Sequence, residues 1–291
     1  MHPGTGFEWV ECPRDAMQGI VQFIPTQQKI NYLNSLLKVG FNVLDFGSFV
    51  SEKAIPQLKD TAEVLENLDD SVDTRLLAIV ANRRGAETAC TFPRISCIGY
   101  PLSVSETFQQ RNTNSGIEAS FQTVVEMAEL ADAHGKELVI YLSMAFGNPY
   151  GEDWSPGKVE DMAARLVGCG IATIALADTI GVASPESVQN LFGTLIPAMP
   201  EIKIGAHLHA RHDNWKEKVD AAWNAGCRRF DSAMKGYGGC PMAKDELVGN
   251  LASEHLLDFL LEKKQNLGVD LQAFQSALKQ ADFVFSSPTA I

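Results

Sequence analysis

The sequence lacks several features that define common classes of protein. Its six cysteines are scattered, and no two of them form a C-x-x-C pair. Neither a disulfide framework nor a cysteine zinc site is therefore indicated. Basic residues are few, because 24 Lys and Arg stand against 36 Asp and Glu, which gives a net charge of −12 at pH 7. Since nucleic-acid-binding proteins carry basic patches, this balance argues against a nucleic-acid partner.

Long apolar runs are also absent. No segment reaches the roughly 18 consecutive apolar residues that a membrane span needs. Residues 1–6 contain no basic region followed by an apolar run, which a secretory signal would require. We therefore expect a cytoplasmic protein that has no membrane segment. The composition, 45% hydrophobic and 21% charged, is that of a globular protein and favours an enzyme acting on a small molecule.

Short apolar runs rich in β-branched residues alternate with longer segments of helical period. The predicted strands cover residues 7–11, 41–45, 75–80, 94–99, 138–143, 171–177, 203–208 and 228–231. Eight strand and helix units are the number that closes a parallel barrel. We predict an α/β fold, a (β/α)8 TIM barrel with extra C-terminal helices, as one catalytic domain over residues 1–291. A doubly wound open sheet is the alternative, but no G-x-G-x-x-G follows the first strand.

The seventh predicted strand leads into two histidines, His207 and His209. Alternate residues of a strand point to the same face, so the two imidazoles project together. They could grip a divalent cation, or they could be hydrogen-bonded side chains at a polar strand end. The motif is short and leaves both interpretations open. The choice depends on which other residues lie at the same end of the fold.

Polar residues follow several other predicted strands. Arg14 and Asp15 come after the first strand, Asp45 ends the second, and Asp178 follows the sixth. Each has an ordinary explanation alone, as a surface pair, a helix cap or a turn former. In a parallel barrel, however, chemistry is built at the C-terminal ends of the strands. All these groups are predicted to lie at the C-terminal ends of the strands, which indicates a functional site there.

Two imidazoles, a carboxylate and an amide oxygen would form a mixed nitrogen and oxygen site for a cation. Such a site suits Mg²⁺ or Mn²⁺ better than a closed structural zinc. The predicted ligands are Asp15, His207, His209 and Asn250. A cation held in this way polarises a carbonyl and lowers the pKa of an adjacent hydroxyl, which is the chemistry of a carbon-carbon bond beside a carbonyl. Arg14 would then stabilise the charge that develops on an enolate or thioester oxygen.

The motifs at these positions resemble those of the 3-hydroxy-3-methylglutaryl-CoA lyases, in the DRE-TIM metallolyase superfamily. The resemblance runs from about residue 7 to residue 285. It rests on residues 13–18, 48–51, 178–182, 238–241 and 249–252, together with the H-x-H pair. The glycine-cysteine-proline loop around Cys240 is the most specific of these motifs, because it marks the lyases within the superfamily.

The resemblance implies a retro-Claisen cleavage of a 3-hydroxyacyl-CoA to acetyl-CoA and acetoacetate, with Mg²⁺ or Mn²⁺ as the cofactor. The implied catalytic residues are Arg14, Asp15, Asp45, His207 and Cys240. The implied substrate contacts are Gln18, Ser48, Arg111, Asn112 and Asp178. The expected partner is therefore an acyl-CoA. A homodimer is the expected assembly, because dimers are the commonest arrangement of soluble enzymes of this kind.

Two of these residues also have simpler interpretations. Cys240 could be a small residue in a tight glycine-rich loop. Arg111, in the loop after the fourth predicted strand, could be a solvated arginine rather than a partner of a CoA phosphate. Both interpretations remain open at the level of the sequence.

The sequence departs from the family pattern beside the site. Asp45 stands where the family usually has Glu, and Cys12 and Ala16 replace glycines around the Pro-Arg-Asp motif. Ala210 replaces the Asp of H-x-H-D, and where such an outer carboxylate matters its loss costs about 10–100-fold in metal affinity or activity. His212 and Asp213 are candidates to compensate. Two alternatives therefore stay open: a related lyase or aldolase for another 3-hydroxy acid, and a catalytically silent barrel that binds CoA or a partner protein.

Overall fold

Eight parallel strands pair in the order of the chain and close on each other, because β1 pairs with both β2 and β8. The computed structural model describes residues 6–70, 74–239 and 248–285. The strands are β1 (Glu8–Glu11), β2 (Val43–Ser48), β3 (Arg75–Ile79), β4 (Ile95–Ser103), β5 (Glu137–Ser143), β6 (Thr173–Asp178), β7 (Lys203–Leu208) and β8 (Arg229–Ser232). The predicted TIM barrel is confirmed, and the doubly wound open sheet was the wrong alternative.

Helices alternate with the strands and pack against the outside of the barrel. They are α1 (Pro13–Gln18), α2 (Thr26–Leu37), α3 (Thr61–Glu66), α4 (Arg83–Cys90), α5 (Glu106–Thr113), α6 (Ile117–Ala133), α7 (Pro156–Gly168), α8 (Pro185–Ala198), α9 (Trp215–Asn224), α10 (Ser253–Glu262) and α11 (Leu271–Phe285). The last two are the predicted C-terminal helices. Within the described ranges, no helix combines the length and the apolar character needed to cross a bilayer.

Serine caps followed by proline begin two of the helices. Ser155 accepts a hydrogen bond from the backbone N–H of Lys158 at the start of α7. Ser184 and Ser187 form a reciprocal capping box at the start of α8, with distances of 3.1 and 2.9 Å. These bonds satisfy backbone N–H groups that have no partner in the first turn of a helix.

Two predictions about the position of site residues are wrong. Asp45 does not end the second strand, because β2 continues to Ser48 and is irregular in register between Asp45 and Gly47. Arg111 is not in a loop, because α5 covers residues 106–113. The hydroxyl of Ser105 caps that helix by accepting the Phe108 N–H at 3.2 Å. A short helix capped by serine was therefore overlooked between β4 and α6.

The interior of the barrel is apolar in the middle and charged at its amino-terminal end. Inward-facing side chains such as Val10, Leu77 and Val139 form the middle layer. Below them Glu8 accepts from Arg229 at 3.0 Å and from Arg75 at 2.6 Å. Among the described residues these contacts fill the amino-terminal end of the barrel, which leaves the carboxyl ends of the strands as the side open to a small molecule.

Candidate active site

The first turn after β1 brings a basic and an acidic side chain into the mouth of the barrel. Pro13 stands at the first position of α1, where its missing N–H costs nothing. Arg14 follows, and its guanidinium binds Asp45 through Nε at 3.0 Å and through Nη2 at 2.6 Å. Its Nη1 donates to Asp15 at 3.0 Å and to Gln18 at 2.8 Å. The guanidinium is therefore held by the barrel wall on one side and by its own helix on the other.

The charges of this group control the protonation of its carboxylates. Burial raises the pKa of Asp45 to about 6, although the positive charge of Arg14 opposes that shift. Burial also acts to raise the pKa of Asp15, but Arg14, the two histidines and Asn250 outweigh it and leave that pKa below its usual value. Asp15 is therefore ionised at neutral pH and can serve as a ligand for a cation.

The two histidines lie beside Asp15. His207 belongs to β7 and His209 follows the end of that strand; both are buried. Asp15, His207 and His209 each offer a ligand atom, and these atoms all lie within 4.8 Å of one another. Three ligand atoms at this spacing fit around a single divalent ion. The structure thus brings together three of the four predicted ligands as one cluster.

Protonation does not block the imidazoles as ligands. Burial lowers the pKa of His209 to about 4, helped by the positive charges of His207 and Lys218. Burial also acts to lower the pKa of His207, but the hydrogen bond and negative charge of Asp231 reverse that effect and raise it. His209 is therefore neutral at pH 7. A bound cation would displace the proton from the Nε2 of His207, because Nδ1 faces Asp231.

Asn250 reaches the cluster from the segment before α10. It forms an isolated antiparallel bridge with His209, and its Nδ2 donates to Oδ2 of Asp15 at 2.7 Å and to the Tyr237 carbonyl at 2.9 Å. The amide nitrogen, not the oxygen, thus faces Asp15. Coordination through the amide oxygen would require the amide to rotate.

A carboxylate that we did not predict orients His207. Asp231, on β8, lies directly opposite His207 in the strand register, and its Oδ2 is 3.0 Å from the Nδ1 of that histidine. Its Oδ1 accepts from Nη1 of Arg229 at 2.7 Å. A carboxylate that accepts a hydrogen bond from the imidazole nitrogen not bound to the metal fixes the orientation of the ring and increases its basicity. The alternation along β8 was the available signal, because Arg229 and Asp231 share the inward face.

Asp178 is turned away from this cluster. Its Oδ2 accepts from Nζ of Lys218 at 2.8 Å, and its Oδ1 accepts from the Ala183 N–H at 3.1 Å. The same ammonium donates to the carbonyl of His209 at 3.0 Å. Both side chains of the ion pair are almost completely buried. The ion pair of Asp178 and Lys218 therefore stabilises the backbone at His209 through the bond from Lys218 to the His209 carbonyl.

Lys218 donates to the backbone carbonyl of His209, the residue before Ala210, where the family pattern has a carboxylate. His212 and Asp213, which we considered as replacements for that carboxylate, are both exposed. The ring of His212 lies 5.1 Å from that of His255. Neither residue turns inward, so the support of His209 comes from a lysine of α9.

A cavity of about 180 Å³ opens next to the cluster. Arg14, Asp15, Gln18, His207, His209 and Asn112 line it, all of which the sequence had suggested. Thr179, from the motif at residues 178–182, also lines it. Tyr141 and Ser143 line it too and were missed, although each lies at or near the end of a strand.

Three predicted substrate contacts do not line this cavity, as far as the described residues go. The hydroxyl of Ser48 accepts the N–H of Val50 at 3.2 Å and stays buried. Arg111 is exposed and lies 4.8 Å from the ring of Tyr150. Asp178 is bound to Lys218. Cys240 lies outside the described residues, so its position relative to the cavity remains a prediction.

Comparisons with known proteins find relatives along nearly the whole chain. Residues 7–280 match the family model described as HMGL-like. The chain is 33% identical over 270 residues to the mouse cytoplasmic 3-hydroxy-3-methylglutaryl-CoA lyase, which covers 91% of this chain and 77% of the mouse protein. The chain belongs to the HMGL-like family. This family depends on a divalent metal, and the cluster of Asp15, His207 and His209 is a possible site for it.

Bacterial members of the HMGL-like family are equally similar. The chain is 32% identical over 265 residues to the Pseudomonas aeruginosa 3-hydroxy-3-isohexenylglutaryl-CoA/hydroxy-methylglutaryl-CoA lyase, covering 91% of this chain and 88% of that protein. A solved HMG-CoA lyase from Acinetobacter baumannii, in complex with coenzyme A and 3-methylmalate, superposes with a TM-score of 0.90 at 28% identity. That superposition covers 100% of this chain and 95% of the other.

Proposed function

We propose that the protein is a divalent-metal-dependent carbon-carbon lyase that cleaves 3-hydroxy-3-methylglutaryl-CoA to acetyl-CoA and acetoacetate. The proposal rests on one observation. The ligand atoms of Asp15, His207 and His209 form a cluster beside the ion pair of Arg14 and Asp45, at the carboxyl end of the barrel strands. We further propose that residues 1–291 form one catalytic domain, because the family match covers residues 7–280.

Asp15, His207 and His209 would hold Mg²⁺ or Mn²⁺, with Asn250 as a fourth ligand after rotation of its amide. The donor set of two imidazoles and two oxygens fits either ion. When bound, the ion would polarise a substrate carbonyl and lower the pKa of the 3-hydroxyl. Asp231 and Lys218 would keep the two histidines in place.

The reaction breaks the bond between C2 and C3. The 3-hydroxyl loses its proton, C3 becomes the ketone of acetoacetate, and the bonding electron pair passes to C2 and the thioester oxygen as an enolate. C2 is then protonated to give acetyl-CoA. Arg14, fixed by Asp45, would stabilise the enolate oxygen, because a preorganised cation lowers the barrier where charge develops. Gln18 and Asn112 would orient the acyl group, and Ser48, Arg111 and Asp178 are weaker candidates for substrate contacts.

Cys240 is proposed as a further catalytic residue on sequence grounds alone. The assay is incubation of the protein with Mg²⁺ or Mn²⁺ and 3-hydroxy-3-methylglutaryl-CoA, with acetoacetate and acetyl-CoA measured separately. We expect metal-dependent release of both products in equal amounts, and its loss in Asp15→Asn and Cys240→Ala. Matched controls are Asp213→Asn and Cys169→Ala, which change the same residue types away from the site.

The outcome separates this proposal from the two alternatives. Tight Mn²⁺ binding without any turnover of this substrate would contradict it. In that case, turnover of another 3-hydroxyacyl-CoA would indicate a related lyase, and no turnover of any would indicate a silent barrel. A cytoplasmic location and a homodimer are also proposed; light scattering after size-exclusion chromatography tests the dimer, and fractionation of the source cells tests the location.

A further inference from the structure

Three neighbouring strands bring a second group of metal-binding side chains together beside the first. Cys12 directly follows β1, and its N–H donates to the carbonyl of Ser232, on β8, at 2.8 Å. Asp231, the preceding residue of β8, is the register partner of His207 on β7. Cys12, His207 and Asp231 are all buried, and each offers a ligand atom within 4.8 Å of those of the other two. We call these three residues the Cys12 cluster.

The spacing of the Cys12 cluster suits a zinc ion. Nδ1 of His207 is 3.0 Å from Oδ2 of Asp231. Nitrogen and oxygen ligands bind zinc at about 2.0–2.2 Å, so in a tetrahedral site they lie roughly 3.4 Å apart. The pair therefore has to open only slightly to admit the ion. Cys12 is a free thiol, and rotation about its Cα–Cβ bond moves the sulfur toward the same point.

The charges of the Cys12 cluster balance those of a divalent ion. Burial and the negative charge of Asp231 raise the pKa of the Cys12 thiol, so the free protein keeps it protonated and an ion displaces that proton. The thiolate and the Asp231 carboxylate then neutralise the two positive charges inside the barrel, where unpaired charge is costly. Oδ1 of Asp231 stays bound to Arg229, which also keeps Glu8 as a partner.

The ligand types of the Cys12 cluster favour a different ion from that of the Asp15 cluster, which consists of Asp15, His207 and His209. Thiolate ligands select zinc and other soft ions, whereas carboxylate, amide and water oxygens suit Mg²⁺ and Mn²⁺. Three protein ligands with a fourth position left for water are also typical of zinc sites that are not purely structural.

The two clusters compete for one histidine. A neutral imidazole has one protonated nitrogen and one nitrogen with a free lone pair. When Nδ1 of His207 binds an ion in the Cys12 cluster, the ring proton is on Nε2, and that nitrogen is then no ligand for the Asp15 cluster. An ion in either cluster therefore withdraws His207 from the other.

We propose that Cys12, His207 and Asp231 form a second metal site, which binds Zn²⁺ and thereby prevents Mg²⁺ or Mn²⁺ from occupying the Asp15 cluster. The second site stands on its own geometry. Only its consequence, inhibition of turnover by Zn²⁺, rests on the proposed function.

Binding is tested with metal ions alone. Co²⁺, an optical substitute for Zn²⁺, should give metal-free protein the intense near-ultraviolet absorption of a cobalt-bound thiolate, and Zn²⁺ should remove it. Cys12→Ala should lose this absorption, and so should Cys12→Ser, which keeps the size of the side chain. Cys97→Ala changes another cysteine of the same interior and should keep the absorption, as should Cys240→Ala. No thiolate absorption in the wild type, or its survival in the Cys12 variants, would overturn the inference.

Competition between ions tests the shared histidine. Protein loaded with Mn²⁺ is titrated with Zn²⁺, and the released Mn²⁺ is followed by electron paramagnetic resonance. Cys12→Ala should need about tenfold or more Zn²⁺ than the wild type for the same release, because one of three ligands is missing. Equal release in both proteins would mean that Zn²⁺ simply replaces Mn²⁺ in the Asp15 cluster, and retention of Mn²⁺ by zinc-loaded wild type would mean that the sites do not exclude each other. Either result would overturn the inference.

Turnover in Mg²⁺ should follow the same order, with the wild type inhibited at about tenfold less Zn²⁺ than Cys12→Ala. If neither protein turns over any 3-hydroxyacyl-CoA, the lyase function fails. The cobalt absorption and the Mn²⁺ release still decide the second site in that case, because neither measurement needs a substrate.

Discussion

Nδ1 of His207 lies 3.0 Å from Oδ2 of Asp231, on the neighbouring strand of the barrel. The contact is buried and follows from the register of β7 and β8, in which the two residues are direct partners. Arg229 holds the other oxygen of the carboxylate. The orientation of a proposed metal ligand is thus set by a chain of charges that runs through the barrel to Glu8.

Asp231→Asn should weaken metal binding without removing a ligand. The amide keeps the size of the side chain but loses the charge that holds the imidazole, and such changes typically cost about 10–100-fold in metal affinity. Titration with Mn²⁺, followed by calorimetry or electron paramagnetic resonance, measures the effect. Asp220→Asn, in a half-exposed pair with Lys263, is the control. An unchanged Mn²⁺ dissociation constant in Asp231→Asn would contradict the role given to this residue.

Lys218→Met should destabilise the protein strongly. The variant leaves the Asp178 carboxylate buried without its cation, which typically costs about 3–5 kcal/mol of the free energy of unfolding. The double variant Lys218→Met/Asp178→Asn should recover part of this loss, because the buried charge is then gone. Lys216→Met is the control on the same helix; its exposed pair with Glu262 is worth about 1 kcal/mol or less. Urea unfolding measures all three, and equal losses in the two single variants would contradict the prediction.

The sequence was sufficient to predict the barrel and the meeting of three proposed ligands at one end of it. Parallel strands all present their carboxyl ends on one face, so Asp15, His207 and His209 were expected to meet, and they do. The partners of these residues were harder to predict. Lys218 lies on α9, nine residues after His209, and only the tertiary placement of that helix brings its ammonium to Asp178 of β6.

Prediction also failed where local structure changed the position of a residue. Asp45 was placed at the end of a strand covering residues 41–45, but β2 continues to Ser48 with a change of register between Asp45 and Gly47. Gly47 has no Cβ, and one built there would lie 2.6 Å from the side chain of Thr61. That close approach depends on tertiary packing, which no local pattern of residues encodes.

Glu11 should make the stability of the protein depend on pH. Burial raises the pKa of Glu11 to about 8, against hydrogen bonds from Ser253 and the Met234 N–H that oppose the shift. The folded state therefore keeps a proton that the unfolded chain releases near pH 4.5. The free energy of unfolding should fall by about 1.4 kcal/mol per pH unit between roughly pH 5 and 8, and level off above that range.

Glu11→Gln isolates this contribution. Glutamine can still accept from the Met234 N–H, and it carries no charge, so the difference between the two proteins reports the titration of Glu11 alone. Urea unfolding at pH 5, 6, 7 and 8 provides the measurement. The wild type should lose stability relative to the variant as the pH rises through this window. A constant difference would show that Glu11 is ionised throughout.

Arg14→Lys should impair turnover more than metal binding. Lysine keeps the positive charge but cannot reproduce the two-nitrogen contact with Asp45. Loss of a preorganised group that stabilises an oxyanion lowers kcat by about 10²–10³. The Mn²⁺ dissociation constant should change less, because all proposed ligands remain. Arg84→Lys, exposed on α4, serves as the control, and a kcat equal to that of the wild type would rule out enolate stabilisation by Arg14.

Gly205→Ala tests whether the series of ion pairs that links Glu8, Arg229 and Asp231 to His207 depends on close packing. A Cβ at Gly205 would lie 2.8 Å from Nη1 and 2.9 Å from Cδ of Arg229, so the arginine would have to move. Its contact with Asp231 would then weaken, and with it the support of His207. We expect a loss of about 1–3 kcal/mol in the free energy of unfolding, typical of overpacking, together with weaker Mn²⁺ binding.

Gly193→Ala, within α8, is the matched control for Gly205→Ala, because we expect it to increase the free energy of unfolding instead of lowering it. No atom lies within 4 Å of a Cβ built at Gly193, and alanine is the better helix former, so this variant should gain about 0.5–1 kcal/mol. Its Mn²⁺ affinity should equal that of the wild type. If Gly205→Ala loses stability but binds Mn²⁺ normally, Arg229 stabilises the barrel without positioning Asp231. If both properties fall together, the charge chain from Glu8 to His207 acts as one unit.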